Sequence, residues 1–328
     1  MSDSPIVYAH VLNGPNPGPC DEQTLIKTLR DETLGWVHLD GTHPKASEWI
    51  SKHLDYLDPQ AIEALLDVDT RPRMMPMGVG MIAILRGINF NEGESPEDMV
   101  SVRMYIDAYR IVTISRRRVR AIERMDTAER RGSAPTEAGM FLVRLVEDLV
   151  GKIGNFAKDL DLRADELEDG VYAHGDERMR RAVLDLRLQV VAMLRFLIPQ
   201  REVLMELAHD DAPFIDDIVR RELEEEVMKM IRIVEDMTEV RDQMMILREE
   251  LSGQLSDRLN KNMFIMSIAS VIFLPLGFLT GLFGVNVAGM PGVDDGRAFY
   301  ILSAVCAGIV VLLLLVIWQV GWIGRRRR

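Results

Sequence analysis

The sequence predicts an α+β domain, a mixed sheet with helices, that continues into a long helical stalk and ends in two membrane-spanning helices. Three observations predict it. First, charge is segregated: the 328 residues carry 39 Lys and Arg against 51 Asp and Glu, a net charge of −12, yet residues 262–293 and 298–324 contain none of these. Second, the N-terminal part alternates short apolar runs with helix-period stretches, as strands flanked by helices do. Third, Gly253 is the one breaker between Pro213 and the first uncharged run, and apolar residues keep a helical spacing throughout.

Residues 6–12 (IVYAHVL), 35–40 (GWVHLD) and 81–90 (MIAILRGINF) read as strands. So do 99–106 and 109–115, separated by a hairpin turn at Asp107-Ala108. Residues 21–31, 45–53 and 59–66 read as helices, and the Arg-rich stretch 115–131 as a surface helix. The breaker Gly132-Ser133-Ala134-Pro135 closes a cytosolic α/β domain over residues 1–135. Residues 136–212 are then expected to form antiparallel cytosolic helices. The first, over 136–169, places Phe141, Leu145, Leu149, Phe156, Leu160 and Leu167 at helical spacing; 170–175 is a turn, and 176–209 is the second helix. His209-Asp210-Asp211-Ala212-Pro213 reads as the next helix start, an acidic cap followed by Pro in the first turn.

From there residues 213–285 form the stalk, which runs on as the first membrane helix. Leu223, Val227, Met230, Val234, Met237, Met244, Leu251 and Leu255 recur at heptad-like spacing. A helix of this extent is on the order of 100 Å long at ~1.5 Å per residue. It needs neighbours to bury it, and identical copies are the simplest supply. Arg241, Arg248 and Arg258 interrupt the stripe and point to a wide or wet seam.

A helix crosses a hydrocarbon core of about 30 Å with roughly 20 apolar residues, and both uncharged runs are long enough. Residues 286–297 form a polar outward-facing loop, 298–324 the second membrane helix, and 325–328 (four Arg) a basic cytosolic tail. Arg258 and Lys261 before the first span and the terminal arginines after the second place both termini in the cytosol, since positive flanks stay inside. Trp318 and Trp322 lie where interfacial indoles belong. The N-terminus lacks the basic-then-apolar order of a secretory signal, so the first part of the chain is expected to remain cytosolic. Two helices cannot enclose an aqueous path, so any solute movement requires several copies around an axis.

The acidic balance argues against a nucleic-acid partner, whose affinity would come from phosphate neutralisation. Cys20 and Cys306 form no disulfide framework or Cys-based zinc finger. Gly151-Lys152-Ile153 lacks the spacing of a phosphate loop, and no His-Glu-x-x-His occurs. No enzyme and no permanently bound cofactor are expected. Energy for transport would come from an ion gradient, the membrane potential or a coupled proton.

The run from Phe273 to Asn286, FLPLGFLTGLFGVN, carries the functional reading. It resembles the end of the first membrane helix in the CorA-type divalent-cation transport family, which has Pro-Leu in the helix and a Gly-Met-Asn signature at its outer end. Here Val285 stands where the signature has Met. The following Val287-Ala288-Gly289-Met290-Pro291-Gly292 is similar to the loop of the zinc-transport branch of that family, ZntB. The resemblance extends to the layout of domain, stalk, two spans and basic tail. It implies a funnel-shaped homopentamer in a bacterial inner membrane, with the first spans lining the pore, the second spans outside, and a ring of Asn at the outer mouth. It implies Zn2+ as the transported ion, with proton-linked uptake. Two alternatives stand beside it: a Mg2+/Co2+ (or Ni2+/Cd2+) channel of the same fold, and a membrane-anchored sensor or scaffold.

The residue chemistry agrees. A ring of amide and carbonyl oxygens binds the hydration shell of a divalent cation without holding the ion too tightly to release. Asn286 supplies such an oxygen, and Gly284 lets the backbone approach; with Val285 they form the expected outer mouth, although an ordinary helix C-cap reads the same way. Stepping back from Gly281 at helical spacing gives Gly277, Leu274, Ser270, Ser267 (or Met266), Met263 and Asn260 as pore lining. Leu274 and Met263 are apolar collars that could gate by dewetting. The other reading of the small residues is close helix packing. Pro275 removes the partner of the Val271 carbonyl and is expected to kink the helix. His209, Asp210, Asp211, Asp216 and Asp217, with Glu222, Glu224, Glu225 and Glu226, form an acidic zone, either a cation-attracting wall and regulatory metal site or a solvated helix face. His174-Gly175-Asp176-Glu177 reads as a plain loop in preference to a zinc site.

Overall fold

The computed structural model describes residues 4–54, 57–67, 71–284 and 296–319. Among the described residues seven strands form one mixed sheet: β1 (Ile6–Val11), β2 (Gly18–Pro19), β3 (Gly35–Asp40), β4 (Arg73–Met77), β5 (Gly80–Gly87), β6 (Val100–Ile106) and β7 (Arg110–Ser115). Their order is β2-β1-β3-β7-β6-β5-β4. Strands β3 and β7 pair in parallel from Gly35↔Arg110 to Asp40↔Ser115, and every other pairing is antiparallel.

The period-2 alternation of the strands divides the core in two. On β5, Met81, Ala83 and Leu85 face one cluster, and Ile82 and Ile84 the other. The second cluster is closed by α1 (Glu22–Thr28), α2 (Ala46–His53) and α3 (Pro59–Leu66), through Leu25, Trp49, Ile50, Ala61 and Leu65. The first is covered by α4 (Arg120–Arg130), α5 (Ala138–His174), α6 (Glu177–His209) and the start of α7 (Asp217–Phe283). The last helix is α8 (Ala298–Gln319). The chain divides into two compact units, Met1–Leu251 and Ser252–Arg328. In the first, α7 buries Leu223, Val227, Met230, Val234, Met237, Met244 and Leu251 of the stripe expected from heptad-like spacing, whereas Leu255, its last member, is exposed.

Several elements differ from the sequence expectation. Strands β2 and β4 carry no strand pattern: β2 is two residues long, and β4 contains Pro76, which a sheet accepts at its edge because the missing N–H faces away from the ladder. Residues 116–119 are not helical, and α4 is no surface helix. Its Ala121, Ile122 and Met125 enter the core. The expected turn at 170–175 is largely helix, because α5 runs through Gly170 to His174. Gly170 is a packing residue: a Cβ there would lie 2.9 Å from Met179 Cε. Finally, α7 starts at Asp217, not Pro213. The Asp216 carboxylate accepts from the Ile218 and Val219 backbone N–H groups at 3.0 and 2.8 Å, and so caps the helix.

Two contacts fix the long helices on the sheet. Gly139 near the start of α5 has no room for a side chain: a Cβ would collide with the Phe214 carbonyl oxygen and lie 2.6 Å from Val219 Cγ2. Buried Gln200 of α6 reaches β5, its Oε1 accepting from the Arg86 N–H at 2.6 Å and its Nε2 donating to the Arg86 carbonyl at 3.0 Å.

Candidate functional site

The uncharged part of α7 lies in the second unit. It is a helix because its residues are apolar and nothing but Pro275 opposes the pattern; the helix runs unbroken through Pro275. The apolar stretches of α7 and α8 are each long enough to cross a membrane.

The coverage of the two spans is one-sided. On α7 beyond Ser252, the half-buried residues in the uncharged run are Phe264, Ile268, Ala269, Ile272, Pro275, Leu276 and Leu279. On α8 the covered positions are Ala298, Leu302, Cys306, Ile309, Val310, Leu313 and Ile317. Both sets follow a 3.6-residue period, so each helix is covered along a single stripe. Asn260, Met263, Met266, Ser267, Ser270, Leu274, Gly277 and Gly281 are all exposed. Helical geometry puts Ser267, Ser270, Leu274, Gly277 and Gly281 on the side of α7 opposite its covered stripe. A Cβ built on Gly277 or Gly281 meets nothing within 4 Å.

The polar groups of this segment are oriented toward acceptor chemistry. The Ser270 hydroxyl donates to the Met266 carbonyl at 2.9 Å, and the Thr280 hydroxyl donates to the Leu276 carbonyl at 2.8 Å. With the proton committed inside the helix, each oxygen presents lone pairs outward, which suits water around a cation. The segment from Asn262 to Gly284 contains no carboxylate. Thr280 was passed over in the sequence; the signal for it is the back-bonding habit of Thr within helices.

Gly284 ends the described part of the segment. Its N–H donates to the Gly281 carbonyl at 3.2 Å, and a Cβ there would lie 2.9 Å from the Thr280 carbonyl oxygen. Val285 and Asn286 lie outside the described residues.

The residues of the acidic zone at the start of α7 make local contacts. The His209 ring contacts the Met205 carbonyl at 2.8 Å through Nδ1. Asp210 accepts from the Ala212 N–H at 2.8 Å, Asp211 lies 3.6 Å from Arg220, Asp216 caps α7, and Asp217 opens its first turn. Among the described residues no three His, Cys, Asp or Glu side chains form a group that could hold a metal ion. The His174 side chain lies outside the described set, and Asp176 caps α6 by accepting from Arg178 and Met179 N–H groups.

The family described as CorA-like Mg2+ transporter protein matches residues 31–327. The zinc transport protein ZntB of Yersinia enterocolitica is 32% identical over 320 residues, covering 96% of this chain and 94% of the relative. The divalent cation transporter CmaX of Pseudomonas aeruginosa is 28% identical, covering 97% of each chain. The solved structure of full-length CmaX superposes with a TM-score of 0.82 at 27% identity, covering 98% of this chain and 99% of the other.

Proposed function

This chain belongs to the CorA-like family of divalent-cation transporters, and on that premise we propose that it passes Zn2+ along the axis of a homopentamer in a bacterial inner membrane. The observation that carries this reading is the bare side of α7. Ser267, Ser270, Leu274, Gly277 and Gly281 are exposed opposite the covered stripe, and a helix that shows small and weakly polar residues on an unpartnered side is suited to surround a wet path with its copies. The relative of Yersinia enterocolitica, named for zinc transport, supports the choice of ion.

In this reading the ion travels with water attached. Hydroxyl and carbonyl oxygens replace part of its second hydration shell, and the absence of carboxylate lets it leave again. Leu274 and Met263 form apolar collars at which the path opens by wetting. Gly284, Val285 and Asn286 form the outer mouth, where the Asn286 amide oxygen meets the hydrated cation. The basic flanks keep both termini cytosolic, and uptake is linked to protons.

Zinc flux into proteoliposomes, measured with and without an imposed pH gradient, tests the proposal. Flux above empty vesicles that falls in Asn286→Ala is expected. Vesicles carrying the intact oligomer that take up no more zinc than protein-free ones would overturn it. A second reading, a Mg2+/Co2+ channel that also admits Ni2+ or Cd2+, is favoured by the description of the family and by the broader name of CmaX. Suppression of zinc flux by equimolar Mg2+ or Co2+ selects it.

A further inference from the structure

The outer side of α6 is apolar where a solvent-facing helix is polar. Leu184, Leu188, Val191, Ile198 and Met205 are between 38% and 55% exposed. With Arg195 and Glu202 they occupy successive positions of a seven-residue repeat, steps of four and three along one side. The opposite side of α6 is already buried, through Val183, Leu186, Val190, Met193, Leu197 and Leu204. The rest of α6 is polar, with Arg178, Asp185 and Glu206 exposed, so the bare apolar stripe is a second, narrower face besides the buried one.

A complementary surface lies at the same height. A groove of about 770 Å³ between α5 and α7 is lined by Asp161, Asp165, Glu168, Glu235, Glu239 and Asp242. Arg201 is the one cation on its lining among the described residues. The Asp161 carboxyl is pushed up by burial and by the charges of Asp165, Asp236 and Glu239, the mark of carboxylates crowded without enough countercharge. Tyr172 and Ile246 stand bare at its edge, 61% and 63% exposed. The side of α6 that would face such a groove offers apolar knobs together with Arg180, Arg181 and Arg195, all exposed, with the acidic Glu177 and Glu202 at its two ends.

Three contacts set the heights. Arg163 donates to Gln189 Oε1 at 3.1 Å, and a Cβ on Gly170 would lie 2.9 Å from Met179 Cε, so residues 179–189 of α6 stand beside 163–170 of α5. Gln243 donates to Glu168, which puts that part of α7 at the same level. Rotation about an axis along α7 preserves height. It therefore brings the Leu184, Leu188 and Val191 part of the bare side of α6 in one copy level with the groove of the next.

We infer that the Leu184–Val191 side of α6 docks into the acidic α5–α7 groove of a neighbouring copy of this chain, a heterologous contact that closes by rotation into a ring. The inference rests on the oligomer proposed above and adds the surface that builds its cytosolic part. Apolar burial supplies the drive, and the opposite charges of groove and knob set the register and suppress wrong partners.

The test uses the full chain in detergent with Cys20 and Cys306 replaced by Ser. Two differently tagged versions are co-expressed, one carrying Leu188→Cys and the other Glu239→Cys, and treated with a short bismaleimide. A linked product carrying both tags is expected, and none when either version is expressed alone. Native mass spectrometry on the same samples separates the failures. An intact ring with no linked product puts the contact elsewhere and leaves the transport reading standing, whereas a monomer removes both.

Discussion

Replacing Gly281 by Leu separates a pore-lining side of α7 from a lipid-facing one. In the single chain a Cβ at Gly281 meets nothing within 4 Å, and Gly281 is exposed, so a side chain has open space to enter. Removing a Gly from a helix interior gains about 0.5–1 kcal/mol of helix stability, and the folded subunit is expected to be at least as stable as the parent. If Gly281 of every copy faces a common axis, each copy also places four additional carbon atoms in the path. A rise of about 1.4 kcal/mol in the barrier to ion passage slows flux about tenfold, and the crowding of several leucines at one level is expected to exceed that. Zinc uptake into proteoliposomes reads the flux, and native mass spectrometry of the same preparation reads the assembly. Gly281→Ala should lie between the parent and the Leu variant. Leu282→Met, a volume-conserving change on a different side of the helix, should leave flux unchanged. Parent-like uptake by an intact Gly281→Leu oligomer would refute the reasoning, because the small side of α7 would then look toward lipid.

Three further outcomes follow from the cytosolic fold. Gly139→Ala drives a Cβ into the Phe214 carbonyl oxygen, and overpacking of this kind costs about 1–3 kcal/mol, visible as a lower thermal midpoint. Gln200→Leu leaves the Arg86 N–H and carbonyl without the partners they now have, at about 1–3 kcal/mol for each buried group left unmet; faster amide exchange at the end of β5 should report it. Glu129 is buried, and its carboxyl is pushed up to about 7, first by burial and then by the charge of Asp126. The native state therefore holds a proton that the unfolded chain has lost, and stability should fall as pH rises from the ordinary carboxyl range through about 7. In Glu129→Gln that part of the pH dependence should vanish from a series of melting curves.

Much of the architecture was legible because the physics was local. Residues 35–40 and 109–115 alternate or run apolar between turn residues, and they are the parallel pair at the centre of the sheet. The stalk stripe from Leu223 to Leu251 is buried as its spacing implies. The failures were of two kinds. Gly170 and Pro213 carry the signature of breaks, but Gly170 is small because Met179 leans on it, and Pro213 belongs to the exit from α6, the entry of α7 being fixed by Asp216. Strand β4 hides because an edge strand tolerates Pro76 and mixes Met with Arg. In the candidate site, the side running from Ser267 to Gly281 could be read from spacing alone. What covers the other side could not, because a uniformly apolar helix gives no sign of which neighbour it meets. The same ambiguity concealed α6, whose apolar residues fall on two faces, and spacing does not say which of them stays bare in one chain.

The bond pair at Gln200 has a mechanical meaning. The β4–β5 ladder ends at Arg73↔Ile84, and beyond it, among the described residues, the outer rim of β5 meets one glutamine amide in place of a strand. The amide arrives from α6, the rod whose opposite flank is bare. Grease alone permits slippage along a helix; a donor and an acceptor pinned to one peptide do not. The rod and the rim of the sheet are thus held in register by a joint two hydrogen bonds wide.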